Sequence, residues 1–173
     1  MADAARLTMT PEDVFVWPRD RDELRERVDG HPVPRQRRMT GASLQHDRAT
    51  GNVIGSLSAQ LRGTARRPTT ADVALRTRIR GLRRPDVMGE CAPLVPDTDA
   101  AREPKLVVEV ASPSTTTIDQ TRKVEAYKRH PTLASILSVE TLKPQALLDR
   151  RLGDGWDIAT FGGLEAVIAL PVI

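Results

Sequence analysis

Hydrophobic and polar positions along the chain follow two periods. From Ser43 to Leu61 the apolar residues Leu44, Val53, Ile54, Leu57 and Leu61 recur at helical spacing. Gly51 and Gly55 fall inside that stretch, where glycine weakens a helix, and close packing against a sheet is expected to account for them. Asp119 to Arg129 predicts another helix, opened by the hydroxyl cluster Thr115-Thr116-Thr117. Thr10-Pro11-Glu12-Asp13 predicts a short one ending near Trp17-Pro18, with a hydroxyl cap, a proline in the first turn and acids at the positive end of the dipole. Elsewhere the period is two. Leu24 to Val28 and Pro32-Val33 flank Asp29-Gly30, a hairpin signal whose second arm runs into Arg35, Arg37 and Arg38. Val73 and Leu75 alternate with polar neighbours, Asp86-Val87-Met88 reads as a short strand and 105–111 as a central one. Ser135 to Val139, Ala146 to Leu152 and Trp156 to Phe161 follow, the last two joined at Gly153-Asp154-Gly155. The segment 92–104 is expected to be a flexible loop. The whole predicts one α/β domain over 1–173, with a mixed sheet flanked by helices and residues 1–9 disordered.

Glu109 interrupts the most apolar of these strands, Leu106-Val107-Val108-Glu109-Val110-Ala111. A lone ionised carboxylate there is costly unless it is paired or bound to a metal. Asp86 lies 23 residues earlier, at the start of the preceding strand. If the two strands pair, both carboxylates sit side by side and repel unless a proton or cation lies between them. Oxygen donors of this kind suit a hard cation, Mg²⁺ or Mn²⁺.

Composition sharpens this picture. Arginine outnumbers lysine 22 to 4, so Lys123 on the helix after the Glu109 strand stands out. Lysine is a compact charge whose pKa shifts on burial, unlike arginine. Asp119, Lys123 and Tyr127 share one helical face, and an ordinary surface Asp–Lys pair is the plain alternative. The net charge of +3 divides unevenly: residues 1–85 carry 17 arginines against 10 acids, and 86–173 carry 9 basic residues against 13 acids. A basic half beside an acidic half suits a protein that meets a polyanion and holds a cation, although arginine-rich coding could produce the excess itself. A single cysteine, Cys91, excludes an internal disulfide and a cysteine zinc site, and is expected in the core. No run is long and apolar enough for a membrane and no secretory signal opens the chain, so a cytoplasmic protein is expected. Two Phe, two Trp and one Tyr are too few for a base-stacking platform. His46-Asp47 resembles a metal dyad, but a solvated histidine, or one beside the site, fits better. His31 is expected in a turn and His130 as a cation at a helix C-terminus.

Arg84-Pro85-Asp86-Val87, then Val107-Val108-Glu109-Val110 with Ser112-Pro113-Ser114-Thr115, then Asp119, Lys123 and Tyr127, form an ordered series that resembles the Uma-type restriction endonuclease family. These are bacterial members of the PD-(D/E)xK nuclease superfamily. The segment from Arg25-Glu26 to Val28-Asp29-Gly30 resembles that family's opening hairpin, and His46 falls where its first long helix carries a histidine. The resemblance implies a restriction-endonuclease-like fold and a Mg²⁺- or Mn²⁺-dependent endonuclease acting on DNA as a homodimer. It implies a metal site of Asp86 and Glu109 completed by the Val110 carbonyl, with Glu26 approaching from outside the strand pair. Lys123 takes the role of the superfamily lysine, since position 111 of the usual Glu-x-Lys is alanine. Substrate-facing roles fall to Ser112, Ser114, Tyr127, Arg84 and His46. Arg27 stands where the family hairpin is apolar, so that strand is expected to be displaced or frayed. A catalytically silent nuclease-fold module that binds nucleic acid or supports assembly is the alternative.

Overall fold

The computed structural model describes residues 25–28, 30–34, 43–77, 81–93, 95–96, 98–111 and 117–170. The helix expected from Thr10, the tail 1–9 and the arm at Arg35, Arg37 and Arg38 lie outside them.

The opening hairpin forms as its turn signal requires. Strands β1 (Arg25–Val28) and β2 (His31–Pro34) pair with Val28 opposite His31, and Gly30 takes a positive φ of 87° that a side chain would resist. His31 therefore opens a strand rather than sitting in the turn. Arg27 does not fray this hairpin. It is buried within β1, which also pairs with β5 (Gly81–Arg83), and β5 pairs with β4 (Leu75–Thr77). The order of this four-stranded sheet is β2-β1-β5-β4.

A second sheet has six strands in the order β10-β9-β8-β7-β6-β3. They are β3 (Arg67–Thr70), β6 (Val87–Glu90), β7 (Pro104–Val110), β8 (Ser135–Val139), β9 (Gln145–Leu152) and β10 (Gly155–Gly162). β7 lies in the interior as expected, antiparallel to β6 and parallel to β8. A parallel pair needs a crossover, and helix α2 (Thr117–Lys128) lies in the β7–β8 connection.

Alternation along β7 divides the apolar core. Leu106, Val108 and Val110 pack on one face with Leu57 and Leu61, at and just beyond the end of helix α1 (Leu44–Gln60). Val107 packs on the other with Met88, Tyr127, Leu133 and Ile136. Ser43 caps α1 by accepting a hydrogen bond from the His46 N–H at 3.2 Å. Gly51 and Gly55 do not face the sheet: both are exposed, with no atom within 4 Å of where a Cβ would stand.

Two further expectations change. The strand read at Val73 and Leu75 begins only at Leu75, because Val73 belongs to a turn in which its N–H donates to the Thr70 carbonyl at 3.0 Å. The described ends of the segment 92–104, expected to be flexible, are pinned. The Glu90 carboxylate accepts from the N–H groups of Cys91, Ala92, Arg102 and Glu103 at 2.8–3.0 Å, and Ala74 bridges to Ala100. Cys91 beside it is only partly buried, with burial first among the causes that raise its thiol pKa.

Candidate active site

The site lies where β6 begins and β7 ends. The antiparallel register places Val87 opposite Val108, and one step further sets Asp86 opposite Glu109. Asp86 is buried, and its Oδ2 accepts the Val110 N–H at 2.9 Å while His46 Nε2 lies 3.3 Å away. His46 reaches it from the first turn of α1, on the same helical face as Val53 and Leu57. Two elements thus fix one carboxylate oxygen.

Glu109 points to the α2 side of the sheet, as alternation with Val108 requires. Its Oε2 is 2.9 Å from Lys123 Nζ and its Oε1 accepts the Tyr127 hydroxyl at 2.5 Å. Lys123 and Tyr127 are four residues apart, so one helical face delivers both donors. The Lys123 side chain is 19% exposed, which removes it from the class of solvated surface pairs. Burial pushes the Glu109 carboxyl above its usual range; Lys123 opposes the rise and Asp86 adds to it. Burial alone would lower the Lys123 pKa, but Glu109, Glu26 and Asp86 outweigh it and the ammonium is held above its ordinary value. The Tyr127 phenol is raised well above its ordinary value, first by burial and then by Glu109 and Glu26.

Glu26 is near enough to act on both groups electrostatically, yet its oxygens are engaged elsewhere. Oε2 meets Arg83 Nη1 at 3.1 Å, and Oε1 accepts the Arg84 N–H at 3.0 Å. As built, Glu26 latches β1 to the segment leading into Asp86. The Arg84 guanidinium is buried and donates to the carbonyls of Ala71 and Asp72. Ser112 and Ser114 lie outside the described residues.

The donor set suits a hard divalent cation with an open coordination sphere. Asp86 and Glu109 offer oxygen alone, and among the described residues no group of three His, Cys, Asp or Glu side chains is placed to hold a metal. Mg²⁺ is commonly held by one or two carboxylates while keeping waters and taking substrate phosphate oxygens. Mutual repulsion between the two carboxylates is what such a cation relieves.

The model of the family described as "Uma2: Putative restriction endonuclease" matches residues 11–172. The chain belongs to the Uma2 family. A crystal structure described as "a putative nuclease belonging to DUF820 from Anabaena variabilis ATCC 29413" superposes with a TM-score of 0.73 at 11% identity, over 92% of this chain and 88% of that one. At that identity the likeness is one of fold, and the fold is restriction-endonuclease-like. No curated protein matches the chain. No helix among the described residues of this Uma2 member is long and apolar enough to cross a membrane.

Within this Uma2 chain the structure brings together Asp86, Glu109, Lys123, Tyr127 and His46, with Val110 contributing its N–H. Arg83 was not singled out by the sequence. It stands 57 residues from Glu26, and nothing local marks the pair. His130 differs from expectation: burial and then Arg151 lower its pKa, and Thr132 rather than a carboxylate meets its ring.

Proposed function

We propose that the protein is a metal-dependent endonuclease hydrolysing phosphodiester bonds in DNA, with Mg²⁺ or Mn²⁺ held by Asp86, Glu109 and the Val110 carbonyl. The observation that carries this reading is the meeting of Lys123 from α2 with Glu109 on β7, opposite Asp86 on the neighbouring chain segment. A buried carboxylate, a nearly buried one and a largely enclosed ammonium gathered at one place are a combination commonly found where chemistry is done. When bound, the cation supplies Lewis acidity at the phosphate and makes water a better nucleophile. Lys123 orients or deprotonates the attacking water and stabilises the developing phosphate charge. His46 and the Val110 N–H hold Asp86 in place. Ser112 and Ser114, next in the chain after this strand, would meet the substrate. Exposed Arg48 on α1, Arg62 and Arg66 in the connection that follows it, and Arg67 on β3 provide charge for phosphate contacts. The working assembly in this reading is a homodimer, two sites for two strands. Sedimentation showing monomer alone at concentrations of about tens of micromolar would count against it.

One observation favours the silent-module reading: both Glu109 oxygens already have protein partners. Plasmid cleavage with Mg²⁺ or Mn²⁺ separates the two. The wild-type protein nicks, and Glu109→Gln or Asp86→Asn lowers the rate at least ~100-fold, the scale of losing a metal-supported electrostatic effect. A wild-type protein that shifts DNA on a gel but never nicks it is the silent module. Nicking that survives both substitutions together ends the nuclease reading at this site.

A further inference from the structure

The sequence resemblance gives Tyr127 a substrate-facing role, and its surroundings argue otherwise. The side chain is fully buried, its ring packed with Leu75, Met88, Val107, Leu133 and Ile136. Its hydroxyl points at one atom, Glu109 Oε1, at 2.5 Å. Lys123 Nζ occupies the other oxygen at 2.9 Å, from a side chain that keeps some exposure. The two donors differ in what they can give up. A buried phenol has no solvent to turn to, whereas an ammonium on a flexible stem can swing outward.

We propose that Tyr127 is a positioning residue for the cation: it retains Oε1 of Glu109, so that Oε2 is the oxygen offered to the metal as Lys123 swings off it. The inference rests on the metal-site reading above and adds which oxygen binds and what holds the other. Hydrogen-bond partners of ligating groups typically govern about 10–100-fold in metal affinity. Lys123 and Tyr127 thus act in opposite directions on one carboxylate. The phenol fixes it in the binding orientation, and the ammonium competes with the ion for Oε2.

Calorimetric titration of Mn²⁺ into the DNA-free protein tests this without any turnover. Tyr127→Phe keeps the ring in its apolar cluster and weakens Mn²⁺ binding roughly tenfold or more. Lys123→Met, which removes the competing cation while keeping an apolar stem, tightens it. A merely structural tyrosine would lower thermal stability and leave Mn²⁺ affinity within about twofold, and that result overturns the proposal. Tyr127→Phe binding more tightly than wild type overturns it as well, since freeing Oε1 would then help. Should Tyr127→Phe not fold, Lys123→Met decides: unchanged or weaker Mn²⁺ binding refutes the competition on which Oε2 selection depends. Wild-type protein that takes up no Mn²⁺ removes the metal site itself, a failure distinct from equal binding by wild type and Tyr127→Phe.

Discussion

Lys123 differs from an arginine at the same place in shape as much as in charge. Its contact with Glu109 is a single 2.9 Å approach by a compact ammonium in a mostly enclosed setting. A guanidinium is planar, longer and delocalised, so Lys123→Arg keeps the charge and loses the geometry. Plasmid nicking by Lys123→Arg should fall at least about tenfold, as for a misplaced catalytic donor; wild-type-like nicking would return Lys123 to an ordinary ion pair. The residues legible in the sequence were those that broke a local rule. Glu109 is a carboxylate in an apolar strand and Lys123 a lysine in a chain of arginines. What those residues meet was not legible. Helical spacing placed Asp119, Lys123 and Tyr127 on one face but could not say that the latter two face Glu109, a contact made across 14 and 18 residues. The Glu26–Arg83 pair and the burial that lowers the His130 pKa are likewise products of tertiary packing.

At the scale of elements, periodicity recovered α1, α2 and β7 to β10, because each is long enough for its apolar face to repeat. β3 and β5 escaped it. They have four and three residues, each including arginine, too short for an alternation to register. The loop after β6 was read as flexible from its prolines and acids, which say nothing of a side chain outside it that binds its backbone. Glu90 does so with four N–H groups. Glu90→Gln replaces one acceptor oxygen with a donor facing other donors, and should cost about 2 kcal/mol. The expected readout is a lower denaturant midpoint together with faster amide exchange at Ala92, Arg102 and Glu103. An unchanged exchange rate at those amides would show that the loop is held by other means.

For the whole molecule, the uneven charge noted in the sequence has a spatial counterpart. The arginine-rich first half places exposed cations on α1 and β3, and the acid-rich second half, which opens at Asp86, holds both carboxylates of the site. The six-stranded sheet joins the halves where β3 of the first pairs with β6 of the second, and β6 in turn sets Asp86 against the β7 that carries Glu109. The meeting of Asp86 and Glu109 at the β6–β7 pair is where we propose that a cation is held. Crystals grown with Mn²⁺ and measured at the manganese edge test it most directly. A cation held there gives one anomalous peak at a ligand distance of roughly 2.1–2.2 Å from Asp86 and from Glu109 Oε2, with Lys123 displaced and the Tyr127 hydroxyl still on Oε1. Saturating Mn²⁺ that leaves no peak between the carboxylates, with Lys123 still on Glu109, would contradict it.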